Sequence, residues 1–240
     1  MRDWIEKLLG ISVSRNPMLR YFPQFIELLN LTFIRNSTGI LHIGAHEGEE
    51  APIYFKNGKK AVFIEANPLL FQRLQKRISE YPDQEAINAL IGNTNEEVNF
   101  FVANNDSQSS SVYDFSTPNA FEGVNMESSQ RLPMHRLDNL IGEELLAQLD
   151  HWIIDVQGAE LLVLQGAGKL LTYCRSMMIE CSTRSFYRGG AQWIEVDLFL
   201  KQHGFICLLE PGKIAHCNLV YVRVGNSNEV PPVFEQDSRN

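Results

Sequence analysis

Acidic residues surround a glycine turn near the start of the chain. The apolar segment ILHI at 40–43 runs into the turn GAHEG at 44–48, and Glu49 and Glu50 follow directly. A turn of this kind between a strand and a helix lets a ligand lie against the backbone at the carboxyl end of the strand. The dinucleotide pattern G-x-G-x-x-G would need glycines at His46 and Glu49, so it fails at two of its three positions. The acidic residues would also repel a phosphate at the start of the helix.

A cationic cofactor suits this acidic turn better than a phosphate does. S-adenosylmethionine carries a sulfonium and an amino group, and it is the cofactor that the turn predicts. Glu65 supports an adenosyl ligand, because it follows the apolar strand 61–64 and can accept both hydroxyl groups of a ribose. NAD would use the same contact, so Glu65 alone does not choose between the two.

Two further acidic residues follow directly after apolar strands. Asp155 follows the strand 152–154, and Glu180 follows the strand 176–179. Ligands of open α/β sheets bind at this edge, so Asp155 can hold the amino group of the cofactor, orient an acceptor hydroxyl or help to remove its proton. Glu160, one turn into the next helix, is interpreted as a charge that favours the helix start.

The histidines and serines near these strand ends give further candidates. His46 and His135 join Asp155 and Glu180 as candidate bases, although a surface position for His135 stays open. The run at 109–111 offers hydroxyl groups to a polar acceptor or serves as a linker. His42 and His46 are four residues apart but lie across a junction between strand and turn, so no metal site is predicted.

The order of predicted elements is that of an α/β protein. A strand at 40–43 precedes a helix from Glu49 to Asn57, the strand 61–64 precedes a helix that begins near Pro68, and strands follow at 85–91 and 98–102. Order returns at Met134 to Leu137, and Asp138 is expected to cap a helix that runs to about Leu149. Gly158 is expected to open a further helix through Leu171, and another helix is expected from Gln192 to His203. Strands at 205–209 and 219–224 form a predicted antiparallel hairpin. The alternation predicts a parallel sheet with helices on both faces.

The chain divides into three predicted parts. Residues 1–36 are predicted to be a helical extension, residues 37–225 the main domain and residues 226–240 a flexible tail. The segment from Ala103 to Pro133 is rich in Asn, Ser and Gln, so it is expected to be a flexible surface loop or an insertion that covers a substrate.

The composition indicates which classes of binding partner and which cellular location to expect. The 240-residue chain has 44% hydrophobic residues and a net charge of -8, which disfavours nucleic acid and anionic membranes as partners. No apolar run could span a bilayer and no signal peptide is recognised, so a cytoplasmic location is expected. The four cysteines are predicted to be free thiols, with a Cys207–Cys217 bridge left open.

Three stretches resemble the FkbM family of S-adenosylmethionine-dependent methyltransferases. They are HIGAHEGEE at 42–50, FIEANP at 63–68 and the pair RLPMHRLDNL and WIIDVQGAELLVLQGA with the later MMIE. The resemblance covers about Ile40 to Val224 and implies a Rossmann-like class I methyltransferase fold with a mostly parallel seven-stranded sheet. It also implies methyl transfer, commonly to a hydroxyl oxygen of a sugar or natural product. Two residues depart from the family pattern, since His42 stands for the usual Asp and Gln157 for the usual Glu.

The predicted site combines the residues with the resemblance. The predicted cofactor contacts are His42, Gly44, Ala45, His46, Gly48, Glu65, Ala66, Asn88 and Asp155, and the predicted catalytic residues are Asp155, Glu180 and His135. A protonated His42 would repel the cofactor, so binding is expected to weaken at low pH. The expected acceptor is a small molecule or carbohydrate. The sequence does not decide between a monomer and a homodimer. The alternative function is a non-catalytic S-adenosylmethionine-binding or assembly protein, and a dehydrogenase ranks third.

Overall fold

A computed structural model of the protein describes residues 23–118 and 120–224. The helices are α1 (Pro23–Asn36), α2 (Ala51–Lys56), α3 (Pro68–Ile78), α4 (Leu137–Leu140), α5 (Glu143–Leu146), α6 (Glu160–Ala167) and α7 (Trp193–Gln202), with a 3-10 helix at Gly168–Tyr173. The strands are β1 (Gly39–Ile43), β2 (Lys60–Glu65), β3 (Gln84–Asn88), β4 (Leu90–Gly92), β5 (Glu97–Ala103), β6 (Met126–Arg136), β7 (His151–Ile154), β8 (Ser176–Ser182), β9 (Phe205–Cys207) and β10 (His216–Arg223).

The main sheet has seven strands in the order β3-β2-β1-β7-β8-β10-β9. The five neighbouring strands β3, β2, β1, β7 and β8 pair in parallel, and β10 pairs antiparallel with both β8 and β9. The order reverses between β1 and β7, and ligands of such sheets bind at this point. The predicted α/β fold, the seven-stranded sheet and the C-terminal hairpin are therefore confirmed. Residues 1–22 and 225–240 lie outside the described residues, so the predicted domain limits stay predictions.

Helices cover both faces because the central strands are apolar on both sides. Leu41 and Ile43 belong to the core that includes α6 and α7, whereas Ile40 belongs to the core beside α2 and α3. Helix α1 packs on the same side as α2, against β10. Each apolar side chain buried in this way stabilises the fold by about 1.5–3 kcal/mol relative to its exposed state. The sheet is thus a rigid support for the loops at its edge.

The predicted loop from Ala103 to Pro133 is wrong at its C-terminal end. Residues 126–133 belong to β6, which pairs antiparallel with β5 and parallel with β4 in a separate three-stranded sheet. Glu127, Ser128 and Ser129 are exposed along this strand. A strand that buries so little of either face has no apolar alternation, which is the signal that sequence patterns rely on. The predicted strand at 85–91 likewise divides into β3 and β4.

The predicted helix from Asp138 to Leu149 is also wrong. Ile141 adopts an extended conformation and separates α4 from α5, and Gly142 precedes the second helix. Asp138 does not cap a helix, because both of its carboxylate oxygens accept hydrogen bonds from Arg136, at 3.0 and 2.6 Å. The helix predicted through Leu171 ends at Ala167 and continues as the 3-10 helix.

Local capping explains where helices α3 and α7 begin. The side chain of Asn67 accepts a hydrogen bond from the Leu69 amide, and Pro68 occupies the first turn of α3. At α7, Gln192 and Glu195 form a reciprocal capping box.

The described cysteines are all free thiols, so the predicted thiols are confirmed and no Cys207–Cys217 bridge is formed. Burial raises the pKa of Cys207 to about 12. Among the described residues, no helix is long and apolar enough to cross a membrane.

Candidate active site

A cavity of about 520 Å³ lies at the carboxyl edge of the main sheet, where the strand order reverses. Its wall contains the ends of four parallel strands and the loop that follows β5. The polar lining includes Gly44, His46, Glu49, Glu50, Glu65, Asp155, Gln157, Glu180 and His216, and the loop contributes Asn105, Gln108 and the serines at 107 and 109–111. The sheet thus brings groups that are distant in sequence to one place.

The glycine turn fits closely against the strand beside it. Gly44 has a φ of +80°, and a Cβ atom there would lie 1.7 Å from the carbonyl oxygen of Asp155. The amides of Gly44 and Ala45 both donate to the Ile64 carbonyl, at 2.9 and 3.1 Å. Only glycine combines this backbone conformation with such a close approach. The turn therefore leaves backbone exposed toward the cavity.

Glu65 lies at the end of β2 with its carboxylate fixed in the cavity wall. One carboxylate oxygen accepts the His46 amide at 2.8 Å, and the other accepts the Asn67 amide at 2.7 Å. Burial raises the pKa of Glu65 to about 7, against the opposing effect of these two hydrogen bonds. Each oxygen keeps a further lone pair, so the side chain can still accept hydrogen bonds from two hydroxyl groups.

Asp155 and Glu180 form a hydrogen-bonded carboxyl pair across β7 and β8. Burial and the charge of Glu180 raise the pKa of Asp155 well above its usual range. The side-chain amide of Gln157 donates to one oxygen of each, at 2.6 Å to Asp155 and 2.5 Å to Glu180. The pair consequently holds one proton and one negative charge, because two adjacent carboxylates cannot both ionise easily in a buried site.

His216 completes this network from β10. Its Nε2 lies 2.9 Å from Glu180, and its Nδ1 lies 2.7 Å from the hydroxyl of Ser182. Burial lowers the pKa of His216, but the hydrogen bond and charge of Glu180 outweigh that effect and raise it. Burial likewise raises the pKa of Glu180, yet the bonds and charge from His216 bring it below the usual value. Glu180 is thus the ionised member of the carboxyl pair.

The loop after β5 is fastened to the glycine turn. His46 Nδ1 lies 2.9 Å from a Glu49 carboxylate oxygen, and its Nε2 lies 2.9 Å from the Asp106 carbonyl. Both partners are acceptors, so both ring nitrogens must carry protons to make both bonds. Burial lowers the pKa of His46, but these two hydrogen bonds outweigh it and the pKa lies above its usual value. The side chain of Asn67 adds a 3.2 Å bond to the hydroxyl of Ser107.

Six residues predicted for the site line this cavity: Gly44, His46, Glu65, Ala66, Asp155 and Glu180. Ala45 and Gly48 shape the turn without lining the cavity, since Ala45 is buried beneath it and the Gly48 amide bonds to the Ala45 carbonyl. Asn88 is exposed and donates to the carbonyls of Glu65 and Ala66, so it supports the cavity from outside.

The structure does not bring His42 or His135 into the cavity. His42 points to the other face of the sheet, where its Nδ1 lies 3.1 Å from the Tyr54 hydroxyl. Burial lowers the pKa of His42, so the ring is neutral near pH 7 and the predicted acid-dependent repulsion of a cofactor loses its basis. His135 lies half-buried on β6 opposite Ile91, outside the residues that line the cavity.

Sequence reasoning missed Gln157, Tyr187 and His216 as members of this network. Gln157 counted only as a departure from a pattern, whereas its amide joins the two carboxyl groups and its Oε1 accepts the Tyr187 hydroxyl at 2.6 Å. His216 belongs to a strand whose register places Asn218 opposite Glu180. No sequence pattern gives that register, so only the fold shows this histidine beside the site.

The comparison with protein families agrees with this geometry. The model of the Methyltransferase FkbM domain matches residues 42–207, which is more than half of the chain. The chain belongs to the FkbM methyltransferase family. A search of curated proteins finds no match.

Solved structures similar to this FkbM protein include methyltransferases with different acceptors. Magnesium protoporphyrin IX methyltransferase from Synechocystis PCC 6803, with SAM bound, is 12% identical with a TM-score of 0.44, over 84% of this chain and 79% of that one. An rRNA methylase from Streptococcus thermophilus is 11% identical with a TM-score of 0.44, over 83% and 97%. A SAM-dependent methyltransferase from Aquifex aeolicus is 13% identical with a TM-score of 0.42, over 84% and 98%. Similarity at this level carries no information about the acceptor of this chain.

Proposed function

We propose that this FkbM protein transfers a methyl group from S-adenosylmethionine to a hydroxyl oxygen of a small-molecule or carbohydrate acceptor. The observation that carries the proposal is that one cavity holds both Glu65 and the Asp155–Glu180 pair. The first suits a ribose, and the second suits a hydroxyl group that must lose its proton. The proposal also includes a cytoplasmic location and no nucleic-acid or membrane partner, in line with the net charge of -8.

The residues of the cavity fit the parts of this cofactor. Glu65 would accept the ribose hydroxyls, and the apolar residues Leu70, Ala89 and Phe100 would contact the adenine. Backbone exposed at Gly44 and the carboxylates of the acidic turn would face the methionine end. The cofactor supplies an activated methyl group on a sulfonium, so the protein needs only to position the acceptor, exclude water and take up a proton.

The carboxyl pair can take up the acceptor proton. As the new bond forms between the methyl carbon and the acceptor oxygen, the bond from the methyl carbon to sulfur breaks and the hydroxyl proton must leave. Asp155 and Glu180 together hold one negative charge, which Gln157 and His216 keep in place by hydrogen bonds. General-base assistance of this kind is typically worth about 10²–10⁴-fold in rate.

Binding and transfer can be tested separately. S-adenosylmethionine or S-adenosylhomocysteine is expected to raise the melting temperature, whereas NAD is not, because the cavity lacks the dinucleotide glycines. Transfer of a labelled methyl group to candidate acceptors then decides whether the protein is an enzyme. Binding without transfer to any acceptor would favour the non-catalytic alternative, and stabilisation by NAD alone would contradict both.

The pKa of Glu65 predicts how cofactor binding depends on pH. An ionised Glu65 accepts hydrogen bonds from both ribose hydroxyls, and its pKa of about 7 means that it loses this charge as pH falls. Affinity for S-adenosylhomocysteine is expected to fall about tenfold between pH 8 and pH 6, in proportion to the ionised fraction. Calorimetric titration at both pH values measures this.

The control for the Glu65 prediction is Glu65→Gln. This variant keeps the shape of the side chain but cannot ionise, so it should bind more weakly at pH 8 and lose most of the pH dependence. An equal pH dependence in the wild type and the variant would assign it to another group.

A further inference from the structure

A second cavity, of about 480 Å³, lies on the opposite face of the sheet between α1 and α2. Its polar lining includes Glu27 and Asn30 of α1, His42 of β1, Glu50 before α2, and Asn218 of β10. Glu50 and Asp155 line both cavities. The second cavity therefore begins where the proposed reaction site ends.

Two buried side chains present open hydrogen-bonding atoms to this second cavity. His42 is 4% exposed and uses its Nδ1 with Tyr54, which leaves Nε2 without a partner among the described residues. Asn30 is 5% exposed and uses its Oδ1 with His151, which leaves its amide nitrogen without one. The fully buried side-chain atom that lacks a partner among the described residues is Gln84 Oε1, so the open atoms of His42 and Asn30 are not sealed in the core but reach the cavity. They are therefore free to bond to a polar ligand there.

The charge of the second cavity determines what kind of polar ligand it suits. Glu27 and Glu50 are its carboxylates besides Asp155, whose pKa burial raises well above its usual range, and no lysine or arginine is found among the described residues that line it. Glu50 lies 3.9 Å from His42 Nδ1, but that ring is neutral near pH 7 because burial lowers its pKa. Two carboxylates without a cationic side chain repel phosphates and carboxylates and attract a cation.

We infer that the cavity between α1 and α2 binds the methyl acceptor, and that this acceptor is a polyhydroxylated molecule with an ammonium group. Glu27 and Glu50 hold the ammonium group, while Asn30, His42 and Asn218 bond to hydroxyl groups. The target hydroxyl then extends past Asp155 toward the first cavity. This inference rests on the proposed methyltransferase function, and it narrows the acceptor to amino sugars, aminocyclitols and related amines.

Matched pairs of probes test the charge requirement. D-glucosamine is compared with D-glucose, and 2-deoxystreptamine with myo-inositol, by saturation-transfer NMR and calorimetric titration of the full chain with S-adenosylhomocysteine present. The amines are expected to bind at least about tenfold more tightly, since a bond between two charged groups is stronger than a neutral one. Equal binding within each pair, or no binding of either amine at millimolar concentration, would overturn the inference.

Variants locate the effect in this second cavity. Glu27 lines the second cavity but not the first, so Glu27→Gln is expected to remove most of the preference for amines while changing the affinity for S-adenosylhomocysteine by less than twofold. Glu80→Gln removes the same charge from an exposed position outside the cavity and is expected to keep the preference. If Glu27→Gln weakens S-adenosylhomocysteine binding instead, Glu27 serves the cofactor and the inference fails.

A steric variant tests the place without changing charge. Leu28 and Ile53 both line the second cavity and are 42% and 43% exposed, so a larger side chain at either position does not disrupt the core. Ile53→Trp is expected to block the amine probes and leave S-adenosylhomocysteine binding unchanged. Unchanged amine binding in this variant would overturn the inference. If S-adenosylhomocysteine fails to bind the wild type, the proposed function fails by itself, and the amine probes still decide whether the cavity takes such a ligand.

Discussion

Gly44→Ala is expected to abolish cofactor binding and to lower the free energy of unfolding by roughly 2–5 kcal/mol. The new Cβ atom would lie 1.7 Å from the Asp155 carbonyl oxygen, which is backbone and cannot rotate away. The backbone φ of +80° at this position is also unfavourable for alanine. Relief would separate the turn from β7 and break the 3.0 Å bond from the Asp155 amide to the Ile43 carbonyl. Denaturant unfolding and calorimetric titration with S-adenosylhomocysteine measure the two effects.

The matched control for Gly44→Ala is Gly58→Ala. Gly58 also has a positive φ, of +63°, but a Cβ atom there meets nothing within 4 Å. It should cost only the conformational term, about 1–2 kcal/mol, and leave cofactor affinity unchanged. If the two variants behave alike, the close contact between the turn and Asp155 does not exist in solution.

The second large effect is expected at the carboxyl pair. Asp155→Asn and Glu180→Gln should each reduce methyl transfer by about 10²–10⁴-fold at saturating cofactor. Glu180→Gln removes the ionised carboxylate, and Asp155→Asn removes the carboxyl group that shares a proton with it. Asp155→Asn should keep the fold, since the protonated Asp155 already acts as a hydrogen-bond donor and the Asn amide can replace it. Glu180→Gln should also lower the pKa of His216, which loses its charged partner.

Labelled-methyl transfer and calorimetric titration separate the effects at the carboxyl pair. Cofactor affinity is expected to change by less than about threefold in both variants, so the loss lies in turnover. The control is Glu97→Gln, an exposed carboxylate on β5 whose loss should change neither quantity. Unchanged turnover in Asp155→Asn would remove that residue from the proposed chemistry.

Much of the fold could be predicted from the sequence because strongly apolar strands alternate with helices. The residues that end those strands could be predicted as well, and Glu65, Asp155 and Glu180 do meet in one cavity. This follows from geometry, since parallel strands bring their carboxyl ends to the same edge. Strand β6 could not be predicted, because its exposed polar residues give no periodic signal.

The direction of side chains was the other limit. His42 lies in the predicted strand, but successive residues of a strand point to opposite faces, and no pattern in this apolar segment decides which face carries the cofactor. His216 was missed for a related reason, since its distance from Glu180 depends on strand register. Gln157 departs from the family pattern, yet its amide donates where a third carboxylate would add repulsion.

The bonds of His46 link cofactor exchange to acidity. Any ligand that leaves past the loop after β5 must wait for that loop to open, and opening breaks the bond from His46 to the Asp106 carbonyl. When the ring gives up its second proton, it can no longer donate to both Glu49 and Asp106, so the closed state loses one bond. Opening should therefore become faster as the solution becomes more alkaline, and this speeds entry and release together without changing the affinity that Glu65 sets. The rate of product exchange would then respond to pH independently of the chemical step.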